Sequence, residues 1–355
     1  MTARERTSAA WRGCLIGALT AVALSCAKSS PRDFLELKLS ISMPVAHPIT
    51  VRGFDVWAKN VEKATEGKIK ILVFPGDILA AGSDAYDATK SGACDMAQLI
   101  QPYEPERFRL SMVMNQPLGL PNAVVSGKVA WDLYRQFPEI QAEYKDVKLL
   151  FFYSTSAYQI HTAKKPVPAL KDLRGLLVRV GDVVDRDIAE ALKMTPEFLP
   201  MPDTYLALER GVLDALMSAF GPMKGFKTVE VTRYHLENAD FHTSIFGVIM
   251  NLKKWNSLPP PLQQAIEKVS GSEAGELFGR VFDETDADTI NDMRDKGDVF
   301  FRLSAEDQSR LEDILADIQK KWVEDNERRG LPGRRILDEA LRLKARHSEG
   351  EYALK

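Results

Sequence analysis

Two stretches of this chain, 119 residues apart, share one skeleton. Tyr86, Ala88, Gly92 and Asp95 recur as Tyr205, Ala207, Gly211 and Asp214, at identical offsets. Each copy follows an apolar run that ends in proline, Ile71–Pro75 in one case and Phe198–Pro200 in the other. Each leads into another apolar run, Met96 and Ala97, or Ala215–Met217. The pattern reads as strand, proline loop, short helix, glycine stop, aspartate, strand. Glycine is the favoured residue just past a helix end, and strand–helix–strand units build parallel sheets. One unit in each half of the chain predicts two similar α/β lobes, an arrangement that commonly encloses a small ligand between them.

The first 26 residues read as an export leader rather than as part of the fold. Arg4, Arg6 and Arg12 precede an apolar stretch from Leu15 to Leu24, too short to span a bilayer, followed by the small residues Ala23, Ser25, Cys26 and Ala27. Leu24-Ser25-Cys26 approximates a lipoprotein box, with Ala23 where leucine is usual, so Cys26 is either a lipid-anchor residue or the neighbour of a simple cleavage site. Residues 27–34 would then be a tether. The formal charge is −3 overall; the leader holds three Arg and one Glu, leaving −5 for the remainder. That mild acidity carries no nucleic-acid footprint. Of the three cysteines two lie in the leader, so Cys94 has no partner and packing must hold the fold.

Along the mature chain, Leu35, Leu37, Leu39, Ile41 and Met43 alternate as in a strand. Phe54, Trp57, Val61 and Ala64 repeat at helical spacing, and Ile69–Phe74 is the next strand. The segment 101–122 carries four prolines and should wrap. Val147–Tyr153 reads as a buried strand, with crossings between lobes near Ser154–Tyr158 and Thr243–Phe246. The resulting division is lobe 1 at 35–156, completed by about 246–284, and lobe 2 at 157–245, completed by about 285–328. From Leu262 to about Lys296 no proline occurs, which predicts one helix ~50 Å long that lies across both lobes, with Gly271 and Gly275 as places to bend. Residues 329–355 read as a charged C-terminal tail with room for one last helix, frayed from His347 onward.

Several local strings resemble a known family. Lys164–Val167 leads through Leu170–Gly175 into Leu176–Val180; Glu230–His235 and Met250–Pro259 follow in order. Together with Phe74–Gly76 and Tyr103–Phe108, these strings resemble the solute-binding proteins of TRAP transporters, the tripartite ATP-independent periplasmic kind, over nearly all of residues 36–325. The resemblance implies a periplasmic-binding-protein fold of class II type that closes on an organic acid. It implies delivery to a small and a large membrane subunit, and a strand-end arginine that pairs with the ligand carboxylate. Arg179 stands at that position.

A guanidinium meets both oxygens of a carboxylate through parallel hydrogen bonds. The sialic acid branch of the family carries a second arginine where Gln159 stands here, and asparagine where Ser218 stands, which argues against that ligand. Branches that bind 2-oxo acids through a cation carry Glu and Trp where this chain has Met217-Ser218-Ala219-Phe220, so no metal and no other cofactor is expected. His47, in the loop after the first strand, reads either as a cleft residue or as a loop histidine that caps a helix. Tyr103 reads as a ligand donor or as an anchor for the proline-rich wrap, and Tyr158 as a lid over an apolar ligand face or as hinge packing. Thr243 sits at the second crossing, where family members supply a polar side chain. Phe220, Phe241, His161, His235 and Trp255 read as structural.

Catalytic signatures are missing. The chain has no G-x-S-x-G, H-E-x-x-H, P-loop or G-x-G-x-x-G, and its five histidines lack metal-ligand spacing. Asp95 and Asp214 hold matching repeat positions, which favours a structural role over a catalytic dyad. Two alternatives to a transport protein stay open at this point: an enzyme on the same two-lobed fold, and a sensing module for a membrane receptor.

Overall fold

The computed structural model describes residues 34–352. The predicted leader with Cys26, and the tether apart from Phe34, lie outside the described residues. Eleven strands form two sheets among the described residues. The first contains β1 (Leu35–Ser40), β2 (Ile69–Phe74), β3 (Met96–Leu99), β4 (Val147–Ser154) and β10 (Ile245–Asn251), in the order β2-β1-β3-β10-β4. The second contains β5 (Gln159–Thr162), β6 (Leu177–Val180), β7 (Thr195–Phe198), β8 (Ala215–Ser218), β9 (Tyr234–Leu236) and β11 (Val299–Phe301). Read from its β7 edge the second sheet runs β7-β6-β8-β5-β9-β11. In each sheet the first three strands are parallel, and the fourth runs antiparallel to both its neighbours.

The repeated motif is the hub of this likeness. The helices Ala85–Ser91 and Thr204–Glu209 end before Gly92 and Gly211, whose φ values of 85° and 70° reach the left-handed region that glycine enters without strain. The Ala88 carbonyl accepts from the amides of Ala93 and Cys94, and the Ala207 carbonyl from those of Val212 and Leu213. The Asp95 carboxylate accepts the Lys38 amide of β1 at 2.9 Å; the Asp214 carboxylate accepts the Leu177 amide of β6 at 3.0 Å. These aspartates pin the middle strand of the parallel trio in each sheet, β1 at Lys38 and β6 at Leu177.

The chain passes from the first sheet to the second between β4 and β5 and returns between β9 and β10. The two passages are bonded to each other: Thr155 N–H to Ser244 O at 3.0 Å, and Tyr158 N–H to His242 O at 2.7 Å. Apolar cores lie against both sheets. Trp57, Phe54, Tyr153 and Phe278 pack in the first lobe, and Val178, Ile188, Met217 and Phe241 in the second.

Two expectations need correction. The single helix expected from Leu262 is two helices, Pro260–Lys268 and Gly271–Asp295. The break falls at Gly271, whose φ of 56° cannot continue a right-handed helix, after an extended Ser270. The longer helix still touches both lobes. Asp283 accepts from the amides of Ala123 and Val124, opening a first-lobe helix, and Asp286 accepts from Gly221 in the second lobe. Burial pushes the Asp286 carboxyl up to about 7, against the Gly221 amide that favours its charge. At the other end of the chain, Gly333–Tyr352 forms a helix that does not fray at His347. Ile336, Leu337, Ala340 and Leu343 make an apolar stripe buried in the first lobe, and His347 bonds Asp132 at 2.9 Å. The density of charge along 329–355 describes only its outer face.

Candidate functional site

β6 runs as Leu177-Val-Arg179-Val180, an apolar strand with one guanidinium on it. Arg179 is buried, and its Nε donates to the Leu199 carbonyl at 2.8 Å, with a long contact from Nη1 to Met217 O at 3.5 Å. Among the described residues no carboxylate lies within ion-pair distance of it. The strand then turns at Gly181. A Cβ there would stand 2.9 Å from both terminal nitrogens of Arg179, so a side chain at 181 would displace the guanidinium.

The guanidinium faces a cleft between the lobes. The first lobe supplies Ser42, Met43, Ile100, Pro102 and Tyr103. The passages between lobes supply Thr155, Tyr158 and Ser244, and the second lobe adds Met201, Pro202, Ser218, Pro222 and Phe226. Phe246 and Phe282 form an aromatic side; both stack on Tyr153, with ring centroids at 5.3 and 6.1 Å. Among the described lining residues Arg179 is the only cation, and Asp182 and Asp185 are the only carboxylates. The cleft is thus an apolar slot with charge gathered at the end of β6.

Of the residues singled out from sequence, Arg179, Tyr103, Tyr158 and Ser218 line this cleft. Tyr103 bridges the lobes, its hydroxyl accepting the Met201 amide at 3.4 Å and its ring meeting Phe198. Three others stand behind the wall. Gln159 is occupied: its Nε2 donates to Asp240 at 2.6 Å and its Oε1 accepts from the Ala239 and Asp240 amides. Thr243 donates to the Met114 carbonyl at 3.3 Å. His47 takes its helix-capping role, Nδ1 accepting the Ile49 amide at 3.1 Å with the ring against Phe226. Burial lowers its pKa to about 4, so it is neutral.

The chain matches a known family. Residues 40–326 fit the family model DctP, described as bacterial extracellular solute-binding protein, family 7. The chain belongs to that family. Among family proteins it is similar to the C4-dicarboxylate-binding periplasmic protein DctP of Rhodobacter capsulatus, 25% identical over 87% of this chain and 94% of the relative. Among solved structures it is similar to a TRAP solute-binding protein of Rhodoferax ferrireducens in complex with copurified benzoate. That match has a TM-score of 0.85 and 26% identity, over 89% of this chain and 99% of the other. A TRAP periplasmic solute-binding protein of Desulfovibrio salexigens, an open complex, gives a TM-score of 0.77 and 29% identity, over 88% and 96%. The fold is therefore the two-lobed α/β fold of TRAP solute-binding proteins. The protein is a transport component of that family, whose members bind carboxylates and work with TRAP membrane subunits.

Sequence reasoning missed a buried cluster beside Arg179. Asp182, Asp185 and His242 bring one ligand atom each within 4.8 Å of one another. Each of these atoms is already bonded. Asp182 accepts from the Asp185 amide at 2.7 Å and from Asn115 Nδ2 at 2.8 Å; Asp185 accepts from the Gly181 amide and meets His242 Nε2 at 2.6 Å; His242 Nδ1 donates to the Thr243 carbonyl at 2.9 Å. Arg179 thus lines the cleft together with a buried charged cluster. Part of the signal was in the chain. Asp182-x-x-Asp185 directly after a strand is an N-cap box, since each carboxylate takes an amide of the turn. His242, 57 residues on, gave no local sign.

Proposed function

We propose that this protein captures a compact monocarboxylate with a flat apolar body and presents it to the small and large TRAP membrane subunits. One observation carries the reading: a buried arginine, without a carboxylate partner among the described residues, at the end of an otherwise apolar cleft. Burying a charge unpaired is costly, so a ligand anion that pairs with Arg179 gains a partner already positioned. A dicarboxylate would need a second cation, and the described lining offers only Asp182 and Asp185 as further charges. The aromatic walls of Phe246, Phe282, Tyr103 and Tyr158 suit a ring, and the Rhodoferax protein, 26% identical, holds benzoate.

In this reading Arg179 clamps the carboxylate, Tyr158 adds a neutral donor, Ser218 lines the wall with its hydroxyl donated to the Ala219 carbonyl, and Tyr103 closes the first-lobe side. Gln159, Thr243 and His47 hold the walls and passages in place. The ligand leaves chemically unchanged, as suits a solute-binding protein of this family. Cys26 carries an acyl anchor outside the cytoplasm, and Cys26→Ser should release the protein into the soluble periplasmic fraction.

The test is a melting-temperature screen with benzoate and benzamide, which share a shape and differ in charge. Benzoate at 100 times its Kd should add about 2.7 kcal/mol, and benzamide should add far less. Equal stabilisation by the two would sink the carboxylate clamp. Recovery of a converted product from denatured, benzoate-saturated protein would overturn the transport reading in favour of an enzyme.

A further inference from the structure

Four buried ionisable groups stand together where β6 meets the cleft: Arg179, Asp182, Asp185 and His242. Their hydrogen bonds fix most of their protons. The Thr243 carbonyl can only accept, so His242 Nδ1 carries a proton. Its Nε2 lies 2.6 Å from Asp185 Oδ1, and the other Asp185 oxygen takes the Gly181 amide. His242 and Asp185 therefore form an ion pair. Burial opposes the imidazolium, but Asp185 beside it lifts its pKa to about 9. Asp182 is left as the carboxylate without a cation of its own. It accepts two neutral donors, one from the Asp185 amide and one from Asn115 in the first lobe. Burial and the Asp185 charge push its pKa up to about 6, while His242 and the two donors pull it down.

The groups that face Asp182 from each side are few. Asp185 comes from its own helix, His242 from the passage into β10, and Tyr158 from the passage into β5, while Arg179 of β6 lines the same cleft. The 111–115 segment presents the uncharged Asn115. Asp187 and Lys321 pair on the outer face of the same helix, away from the cleft. With two cations and two carboxylates the unliganded cluster is balanced, and a ligand carboxylate at Arg179 adds a third anion to a site that excludes water.

We propose that the cleft takes up one proton, on Asp182, for each carboxylate it binds at Arg179. The ligand is then held as an anion together with a proton, and its affinity follows the pH of the compartment. This rests on the reading that Arg179 receives the ligand carboxylate. The sign is fixed by the added negative charge, which favours the protonated form of Asp182. Below about pH 6 Asp182 is already protonated and binding takes up nothing. Above that value, until the higher pKa of the liganded form is passed, each pH unit weakens binding by up to about tenfold.

The test is calorimetry with benzoate near pH 7 in phosphate and in Tris, whose ionisation enthalpies differ. Wild-type protein should show a buffer-dependent enthalpy equivalent to about one proton taken up. Asp182→Asn should show none, and its Kd should stay flat from about pH 6 to 8. Equal enthalpies in both buffers, with benzoate bound, would overturn the proposal. Carbon-13 NMR of the aspartate carboxyls in wild-type protein supplies a reading that does not need the variant's folding. Asp182 should titrate near 6 without ligand, and higher with benzoate. An Asp182 midpoint that bound benzoate leaves unmoved would also overturn it. If benzoate fails to bind, the ligand class was wrong, and the same calorimetry with a carboxylate that does stabilise the protein decides the proton uptake.

Discussion

β1 and β6 occupy the same place in their two sheets, yet only β6 carries charge to the cleft. The register makes the equivalence explicit. Leu39 and Ser40 pair with Met96 and Ala97, the two residues after Asp95; Val178 and Arg179 pair with Ala215 and Leu216, the two after Asp214. Ser40 is thus the first-lobe counterpart of Arg179, and Ser42 that of Gly181. Ser40 bonds the Ala80 carbonyl and Ser42 bonds Asp77, so these hydroxyls serve their own loops. The comparison teaches that the framework was kept in both lobes while the chemistry went to one. A ligand held mainly by the second lobe leaves the first free to close over it, and contacts made only when closed shift the population that way.

The largest test of the shared framework uses the residue that opens the motif. Tyr86 is buried, edge-on to Phe108 with Arg107 over its ring at 4.1 Å. Tyr205 is only half-buried, its hydroxyl near Glu209 and Glu230. Tyr86→Ala should cost about 3–4 kcal/mol in urea unfolding, and Tyr205→Ala about 0.5–1 kcal/mol. Similar losses at the two sites would show that the lobes lean on this position equally, and that burial is a poor guide here.

The asymmetry in chemistry is tested next. Arg179→Ala should weaken benzoate binding by at least about tenfold, a loss of about 1.5–3 kcal/mol for a charge-assisted pair in a closed cleft. Arg179→Lys should restore part of it, because an ammonium lacks the fork. Ser40→Ala should change affinity by less than about twofold. Gly181→Ala is the sharper probe, for it keeps every charge and only crowds the guanidinium. Its affinity should fall between those of the wild type and Arg179→Ala. Unchanged binding in both Arg179→Ala and Gly181→Ala would place the ligand's charge elsewhere.

Local patterns were legible in the sequence to the extent that one stretch of chain produced them. The twin Tyr-Ala-Gly-Asp motif announced two equivalent lobes, because its helix stop and strand pin are made within some ten residues. Arg179 stood out as a lone charge in an apolar strand. What failed depended on partners distant in sequence. Gln159 reads as a cleft residue until Asp240 and the Ala239 amide are seen to occupy it. Asp182 and Asp185 read as the start of a helix until His242 arrives from the returning passage. The 262–296 helix had the right period and Gly271 was legible as a place to bend, but that the bend is a full break rests on the positive φ that Gly271 adopts, which the sequence permits without requiring. The last helix was legible from the spacing of Ile336, Leu337, Ala340 and Leu343, but its charged outer face concealed that it packs into the first lobe and continues past His347.

The smallest expected effect concerns the two aspartates that close the motif. Each holds one amide of the neighbouring parallel strand, Lys38 for Asp95 and Leu177 for Asp214, in a hydrogen bond of almost equal length. A bond from a neutral amide to a partly exposed carboxylate is worth about 1–1.5 kcal/mol net. Asp95 has an added ion pair with Lys254 at 3.2 Å, but that pair is partly exposed and should contribute only a few tenths of a kcal/mol. Asp95→Ala and Asp214→Ala should therefore lower unfolding stability by similar amounts, about 1–1.5 kcal/mol each. The sites serve different sheets and share no partner, so the double variant should lose the sum to within about 0.5 kcal/mol. Benzoate affinity should be nearly unchanged in Asp95→Ala. It should drop modestly in Asp214→Ala, because the strand pinned at Leu177 carries Arg179 two residues later. Equal affinities in the two variants would mean that β6 holds its arginine without the pin, and that the framework and the chemistry of the second lobe are independent.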